Sequence, residues 1–395
     1  MLKYLAFLLA VPALAATYRF GAIWDGTKVW KNACVTIDAG RIQSVGACTG
    51  SPVDLSRYTA IPGLIDVHTH MTYMLGNPVT RAGRGAAVVY LAQENARKTL
   101  ETGVTTVRDL GASGYTDIAM RDLINQGRMP GPRMFVAGHG LSIPRGTNRS
   151  PGTADGPAEV VRVIREQAEA GADVIKMYGS TGSGRDVSGT QTFTFEAMKA
   201  ACDTAHELGK RIAIHSYGPD GARDAVRAGA DSIEHATDMD DDTIAQMAQR
   251  KIFYVPTVDH NRYYADNYRL LNYPPAAVDG LKDYIRRNLE TARKAFRAGV
   301  RFAMGSDAVY TMFGENTHEL GWFVQAGMTP EQALRAATAN GAELLGQEKS
   351  LGAIRSGSIA DMVAVEGDPL ADIEVVIQKV RWVMKDGQVV VDKIR

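Results

Sequence analysis

Between Ile61 and residue 347 the chain alternates short apolar runs with amphipathic stretches. The apolar runs are "LIDVH", "TTVRDL", "RMFVAG", "DVIKMY", "RIAIHS", "DSIEHA", "IFYVPTV" and "RFAMGS", eight strand candidates rich in β-branched residues. The stretches between them carry helical periodicity. Residues 195–208 place Phe195, Met198, Cys202, Ala205 and Leu208 on one face, and "TPEQALRAATANGAELLG" opens with Thr329 as N-cap and Pro330 at the first helical position. Strand followed by helix, eight times over, predicts an α/β fold, a (β/α)8 TIM barrel over residues 61–347. The flanks read differently. Residues 16–60 alternate strand-like runs with turn pairs such as Asp25-Gly26 and Ala39-Gly40, and residues 348–395 return to that texture. Both ends are therefore expected to build one small β-sandwich domain beside the barrel.

The first fifteen residues stand apart. Lys3 precedes a short apolar stretch that closes on Ala13-Leu14-Ala15, the small-x-small pattern of a signal-peptidase site. This predicts a signal peptide over residues 1–15, export to the periplasm or beyond, and no membrane anchor after cleavage, since the apolar run falls short of the ~20 residues that span a bilayer. An oxidising destination bears on the cysteines. Cys34 and Cys48 flank the hairpin-like "CVTIDAGRIQSVGAC" and are either a disulfide or two reduced, buried small hydrophobes; simple pairing across Ala39-Gly40 leaves them three positions out of register. Cys202 lies in a helical pattern and reads as core.

Composition narrows the class without naming it. With 45% hydrophobic and 22% charged residues, the chain is neither broadly disordered nor a multispan membrane protein. Lys plus Arg equals Asp plus Glu at 44 each, so no electrostatic excess points to nucleic acid. Nor does it point to an anionic membrane; the balance leaves a small-molecule substrate and a homo-oligomer open.

Candidate chemistry appears at the carboxyl ends of the strands, where such barrels keep their active sites. The first ends in His68 and His70, which alternation turns the same way. The fourth carries Lys176, the fifth ends in His215, the sixth in His235 and the eighth in Asp307. A lysine inside "VIKMY" is costly to bury as an ammonium. Desolvation favours its neutral amine, which can combine with carbon dioxide to form a carbamate able to bridge two cations.

The motifs "IPGLIDVHTH", "GVTTVRDLG", "GADVIKMYGS", "AGADSIEHAT", "VPTV", "GSDA" and "LGAIRSGSIADMVAVEGDPL" together resemble the amidohydrolase superfamily, in the branch of imidazolonepropionase-like and prolidase-like dipeptidases. The resemblance runs over nearly the whole mature chain. It implies two Zn2+ ions, one on His68, His70 and Asp307, the other on His215 and His235, bridged by carboxylated Lys176 and a hydroxide. Lys176 points to the dipeptidase side, because imidazolonepropionases lack a lysine there and use one metal. Many relatives carry Gly-Gly-His after the third strand, whereas this chain reads "GHGLSIPRGTNRS", with His139 earlier and Arg145 and Arg149 nearby.

Two metal ions lower the pKa of a shared water and polarise a carbonyl, so hydroxide attacks an amide without a protein nucleophile. Asp307 is expected to take the proton and deliver it to the leaving nitrogen. Tyr217 is a candidate donor to the oxyanion or to a substrate carboxylate. Arg262 and Tyr263, in "VDHNRYYADN", are candidates for a terminal carboxylate, and His139 and His260 for substrate contact from loops at the mouth. The expected activity is zinc-dependent cleavage of an amide next to a C-terminal amino acid, Xaa-Pro or similar. Alternatives are non-peptide amides, such as N-acyl amino acids or ochratoxin-type compounds, and an inactive scaffold of the kind formed by relatives that have lost their ligands.

Overall fold

The computed structural model describes residues 15–75, 84–144, 146 and 150–394. The expected signal peptide therefore lies outside the described residues except for Ala15, as do Arg145 and Arg149.

The N-terminal flank forms β1 (Ala16–Trp24), β2 (Val29–Asp38), β3 (Arg41–Gly46) and β4 (Val53–Pro62). Eight parallel strands follow: β5 (Leu64–Thr69), β6 (Val104–Asp109), β7 (Arg133–Val136), β8 (Ile175–Tyr178), β9 (Ile212–Ser216), β10 (Ser232–His235), β11 (Phe253–Val255) and β12 (Arg301–Phe302). Each falls within one of the eight apolar runs or overlaps it. The last is shorter than "RFAMGS" suggested, because the chain leaves the ladder after Phe302. The C-terminal flank adds β13 (Met362–Val365), β14 (Val380–Lys385) and β15 (Gln388–Asp392).

Both flanks join in one seven-stranded sheet, ordered β15-β14-β13-β4-β1-β2-β3. Its centre pairs Phe20 with Leu55 and Ile61 with Val363, and Phe20, Ile23, Val35, Ile42, Met362 and Trp382 pack into one cluster. The β2–β3 hairpin turns on Ala39 and Gly40, both at positive φ, as a two-residue turn matched to strand twist requires. A bulge between Thr36 and Ile37 sets Cys34 opposite Gly46, and the chain beyond Gly46 brings Cys48 back into a disulfide with Cys34. That bulge absorbs one of the three positions by which simple pairing fails.

The parallel strands fall into a three-stranded sheet, β5-β6-β7, and a five-stranded sheet, β12-β11-β10-β9-β8. Parallel bridges Thr69↔Ala308 and Leu141↔Met177 link the two. Every residue of β5, β6, β9 and β10 is buried, as expected of parallel strands covered on both faces. Gly305 lets the chain after β12 press against β5, since a Cβ there would stand 2.4 Å from Val255 and 2.8 Å from His68. No helix among the described residues is long and apolar enough to cross a membrane.

Candidate active site

Parallel strands deliver their carboxyl ends to one side, and there His68, His70, Lys176, His215, His235 and Asp307 come together, all buried. Candidate ligand atoms of His68, His235 and Asp307 lie within 4.8 Å of one another. His70 Nε2 is 3.4 Å and His68 Nε2 3.5 Å from Asp307 Oδ1, and Lys176 Nζ is 3.4 Å from His68 Nε2. The His215 and His235 rings meet edge to face at 4.4 Å.

Each of three imidazoles has its outer nitrogen committed. His68 Nδ1 donates to Glu234 Oε2 at 2.7 Å, and His70 Nδ1 to the Gly111 carbonyl at 3.0 Å. Thr257 spends its proton on the Pro256 carbonyl, so it accepts from His235 Nδ1 at 2.6 Å. Carboxylate, carbonyl and spent hydroxyl can only accept, which fixes the Nδ1–H tautomer and leaves each Nε2 as a bare lone pair. Burial, reinforced by the neighbouring Lys176, keeps these rings neutral: His68 is well below the usual imidazole range and His70 down at about 3. Burial likewise brings Lys176 down to about 8. His235 (φ 73) and Asp307 (φ 51) both occupy the left-handed region, a strained conformation for residues that carry a Cβ.

A buried polar network holds these side chains. Glu234 bridges His68 to Arg108, whose Nη2 reaches Glu234 Oε1 at 2.9 Å while Nη1 donates to Ser232. Asp66 accepts from the Ser306 backbone, the Ser306 hydroxyl and Asn316, which pins the turn that presents Asp307. Glu319 accepts from the first two N–H groups of the helix Val258–Asp266, at 3.0 and 2.9 Å.

That helix corrects part of the sequence reading. His260 is not on a mouth loop but on the buried first turn of the helix, with Nε2 3.1 Å from Asp307 Oδ2. Arg262, the candidate for a terminal carboxylate, has its guanidinium paired with Asp259, Asp266 and Glu315. Tyr263 is fully buried, its phenol hydrogen-bonded to the Thr311 hydroxyl at 2.7 Å. Both fasten the helix. Tyr217 is buried and stacks on His215 at 5.1 Å, its hydroxyl 3.4 Å from Asn261 Oδ1. His139 is half-buried, its ring edge to face with that of Tyr115 at 4.5 Å.

Sequence reasoning passed over Arg108, Glu234 and Asp66. The signal that flagged Lys176, a charge inside an apolar strand, was equally present in "TTVRDL", "DSIEHA" and "LIDVH". Thr257 offered no such signal, its partner lying 22 residues away, and His260, named only as a contact at the mouth, gave no sign of its pairing with Asp307.

Neutral imidazoles, a carboxylate and a buried amine at the carboxyl rim of parallel strands are the donor set of a metal-dependent hydrolase. The Amidohydrolase family matches residues 59–390, and the chain belongs to that family. It is a hydrolase acting on C–N bonds. An ochratoxinase from Aspergillus niger is 30% identical over 393 residues, covering 87% of this chain and 79% of the relative. A crystal structure of a Xaa-Pro dipeptidase with methionine bound in its active site is 31% identical, with TM-score 0.87, covering 95% of this chain and 99% of the other. A prolidase complexed with N-methylphosphonate-L-proline is 26% identical, with TM-score 0.86 over 95% of this chain and 99% of the other.

Proposed function

We propose that the protein is a zinc-dependent amidohydrolase that cleaves an amide next to a C-terminal amino acid, with Xaa-Pro or similar dipeptides as the first class. The observation that carries this is the set of Nε2 lone pairs of His68, His70 and His235 converging beside Asp307 and Lys176, each tautomer fixed from behind. Two ions would be held by His68, His70 and Asp307 and by His215 and His235, with Lys176, once carboxylated, as a ligand they would share. When bound there, such ions bring a water's pKa into the neutral range and polarise a carbonyl.

The chain's own part is orientation and proton handling. Asp307 turns Oδ1 toward His68 and His70 and Oδ2 toward His260, so the proton destined for the leaving nitrogen is assigned to Oδ2, on the lone pair that does not face His260. Tyr217 presents its phenol from above His215. The surrounding frame, in this reading, is a closed barrel over residues 61–347 flanked by a β-sandwich domain of residues 16–60 and 348–395. Export by residues 1–15 belongs to the same proposal.

The ochratoxinase similarity favours a second reading, the same machinery applied to N-acyl amino acids. One screen separates them: metal-replete enzyme against a dipeptide library and matched N-acyl amino acids. Elemental analysis of protein purified without chelator should give about two metal ions per chain. A ceiling of one ion at full activity defeats the binuclear reading, and no turnover of any amide defeats the function.

A further inference from the structure

Asn261 sits beside His260 on the first turn of the helix Val258–Asp266 and is fully buried. Its Oδ1 accepts from the Tyr217 phenol, but its Nδ2 has no partner among the described residues. The adjoining His260 Nδ1 is also buried without a partner. Leaving such a group unsatisfied is costly, and native interiors rarely tolerate it without a reason. Here two orphans lie on neighbouring residues. One side chain reaches Asp307 and the other reaches Tyr217, which stacks on His215 and lies 4.9 Å from His235. The two orphans differ in kind. When Asp307 is ionised it accepts from His260 Nε2–H, which leaves Nδ1 a bare acceptor, whereas the Asn261 amide is a donor.

From this we infer that Asn261 is a substrate-binding residue, its Nδ2 donating to a substrate oxygen, either the carboxylate of the C-terminal amino acid or the scissile carbonyl. The inference rests on the hydrolytic reading and adds a residue to it. A neutral amide suits this place, because a buried cation facing the metal ligands would oppose metal binding. Tyr217 then both orients Asn261 and closes one side of the subsite.

Asn261→Asp separates binding from support. Aspartate keeps an oxygen for the Tyr217 phenol but replaces the donor with an acceptor. Metal content and thermal midpoint, measured alongside, report whether the fold and site persist; if Asn261→Asp loses metal, Asn261→Ala, which removes the donor without adding charge, carries the test. The enzyme is metal-replete, and each variant is assayed on the best amide substrate and on its analogue lacking the carboxylate. Binding of L-methionine, a ligand seen in the active site of the similar dipeptidase, is followed by calorimetry without turnover. The expected loss in kcat/KM is roughly 10- to 100-fold. A rise in KM and in the methionine Kd, absent for the carboxylate-free analogue, assigns the carboxylate. A fall in kcat on both substrates assigns the carbonyl. Values within twofold of wild type overturn the inference, while a wild type that cleaves no amide overturns the hydrolytic reading itself.

Discussion

At the scale of single residues, the site is governed by which nitrogen of each imidazole carries the proton, and Glu234 controls this for His68. A glutamine there would turn either an oxygen or an amide N–H toward His68 Nδ1. Arg108, a permanent donor 2.9 Å from Oε1, claims the oxygen. The amide N–H then faces Nδ1, which must become the acceptor, and the proton moves to Nε2, where a metal would bind. Glu234→Gln should therefore weaken metal affinity by roughly 10- to 100-fold, read by competition with a chromophoric chelator; unchanged affinity would show that the tautomer is set elsewhere. Asp307→Asn tests a different step. It keeps an oxygen toward His68 and His70 but cannot take a proton, so metal content and substrate binding should survive while kcat falls roughly 10²–10⁴-fold. Near-normal kcat with metal bound would move the proton role to Tyr217 or to His260, which lies 3.1 Å from Asp307. The six candidate ligands were legible because strand ends in an α/β chain have a known destination. Arg108 and Glu234 were legible in principle, as charges in apolar strands, but their role depends on contact across 126 residues. No local pattern encodes that pairing.

At the scale of elements, boundaries followed local chemistry where caps and turns act over a few residues. Thr329 and Gln332 form a capping box, and Pro330 sits at the first helical position, as the sequence implied. The helix Asp241–Arg250 begins the same way: Asp240 Oδ1 accepts the Thr243 N–H at 2.7 Å. Asp240→Ala should cost about 1 kcal/mol and Asp240→Asn much less. The pH dependence has a definite sign. The Thr243 N–H holds the Asp240 carboxyl below its usual range in the folded state, so its contribution is complete above the unfolded value and fades as pH falls through the folded one. Urea unfolding of wild type against Asp240→Asn should show the wild type losing ground below about pH 4; a difference that is flat with pH would mean the charge contributes nothing. The helix Val258–Asp266 was not legible. Thr257 enters it at φ 49 without a side-chain cap, and Glu319, some sixty residues later, satisfies its first N–H groups instead. A cap supplied from so far away leaves no trace in the local sequence, which is why "VDHNRYYADN" read as loop.

Across the whole molecule, the texture of the two flanks announced that they belong together, because short strands with Gly and Asp turns contrast with the strand–helix rhythm between them. What texture cannot specify is how that sheet is joined to the parallel strands. Arg133, on β7, makes the join: Nη1 donates to Asp361 Oδ2 at 2.6 Å and to Thr106 at 2.9 Å, and Nη2 pairs with Asp386 in the β14–β15 turn. Asp361 is nearly buried, and its backbone carbonyl also accepts the Gly63 N–H at 2.8 Å, where β4 passes into β5. Removing the cation leaves a buried carboxylate unpaired, so Arg133→Ala should destabilise by about 3–5 kcal/mol. Asp361→Asn in that background should recover part of the loss, since the neutral amide no longer needs a counter-charge and its oxygen can still accept the Asp386 N–H. The double-mutant cycle, read by urea unfolding, is the measurement. A loss concentrated in this seam should also lower the slope of the transition, because the terminal sheet would begin to unfold apart from the parallel strands. Additive effects of the two substitutions, with an unchanged slope, would mean that the apolar packing between the sheets carries the join and the ion pair merely sits beside it.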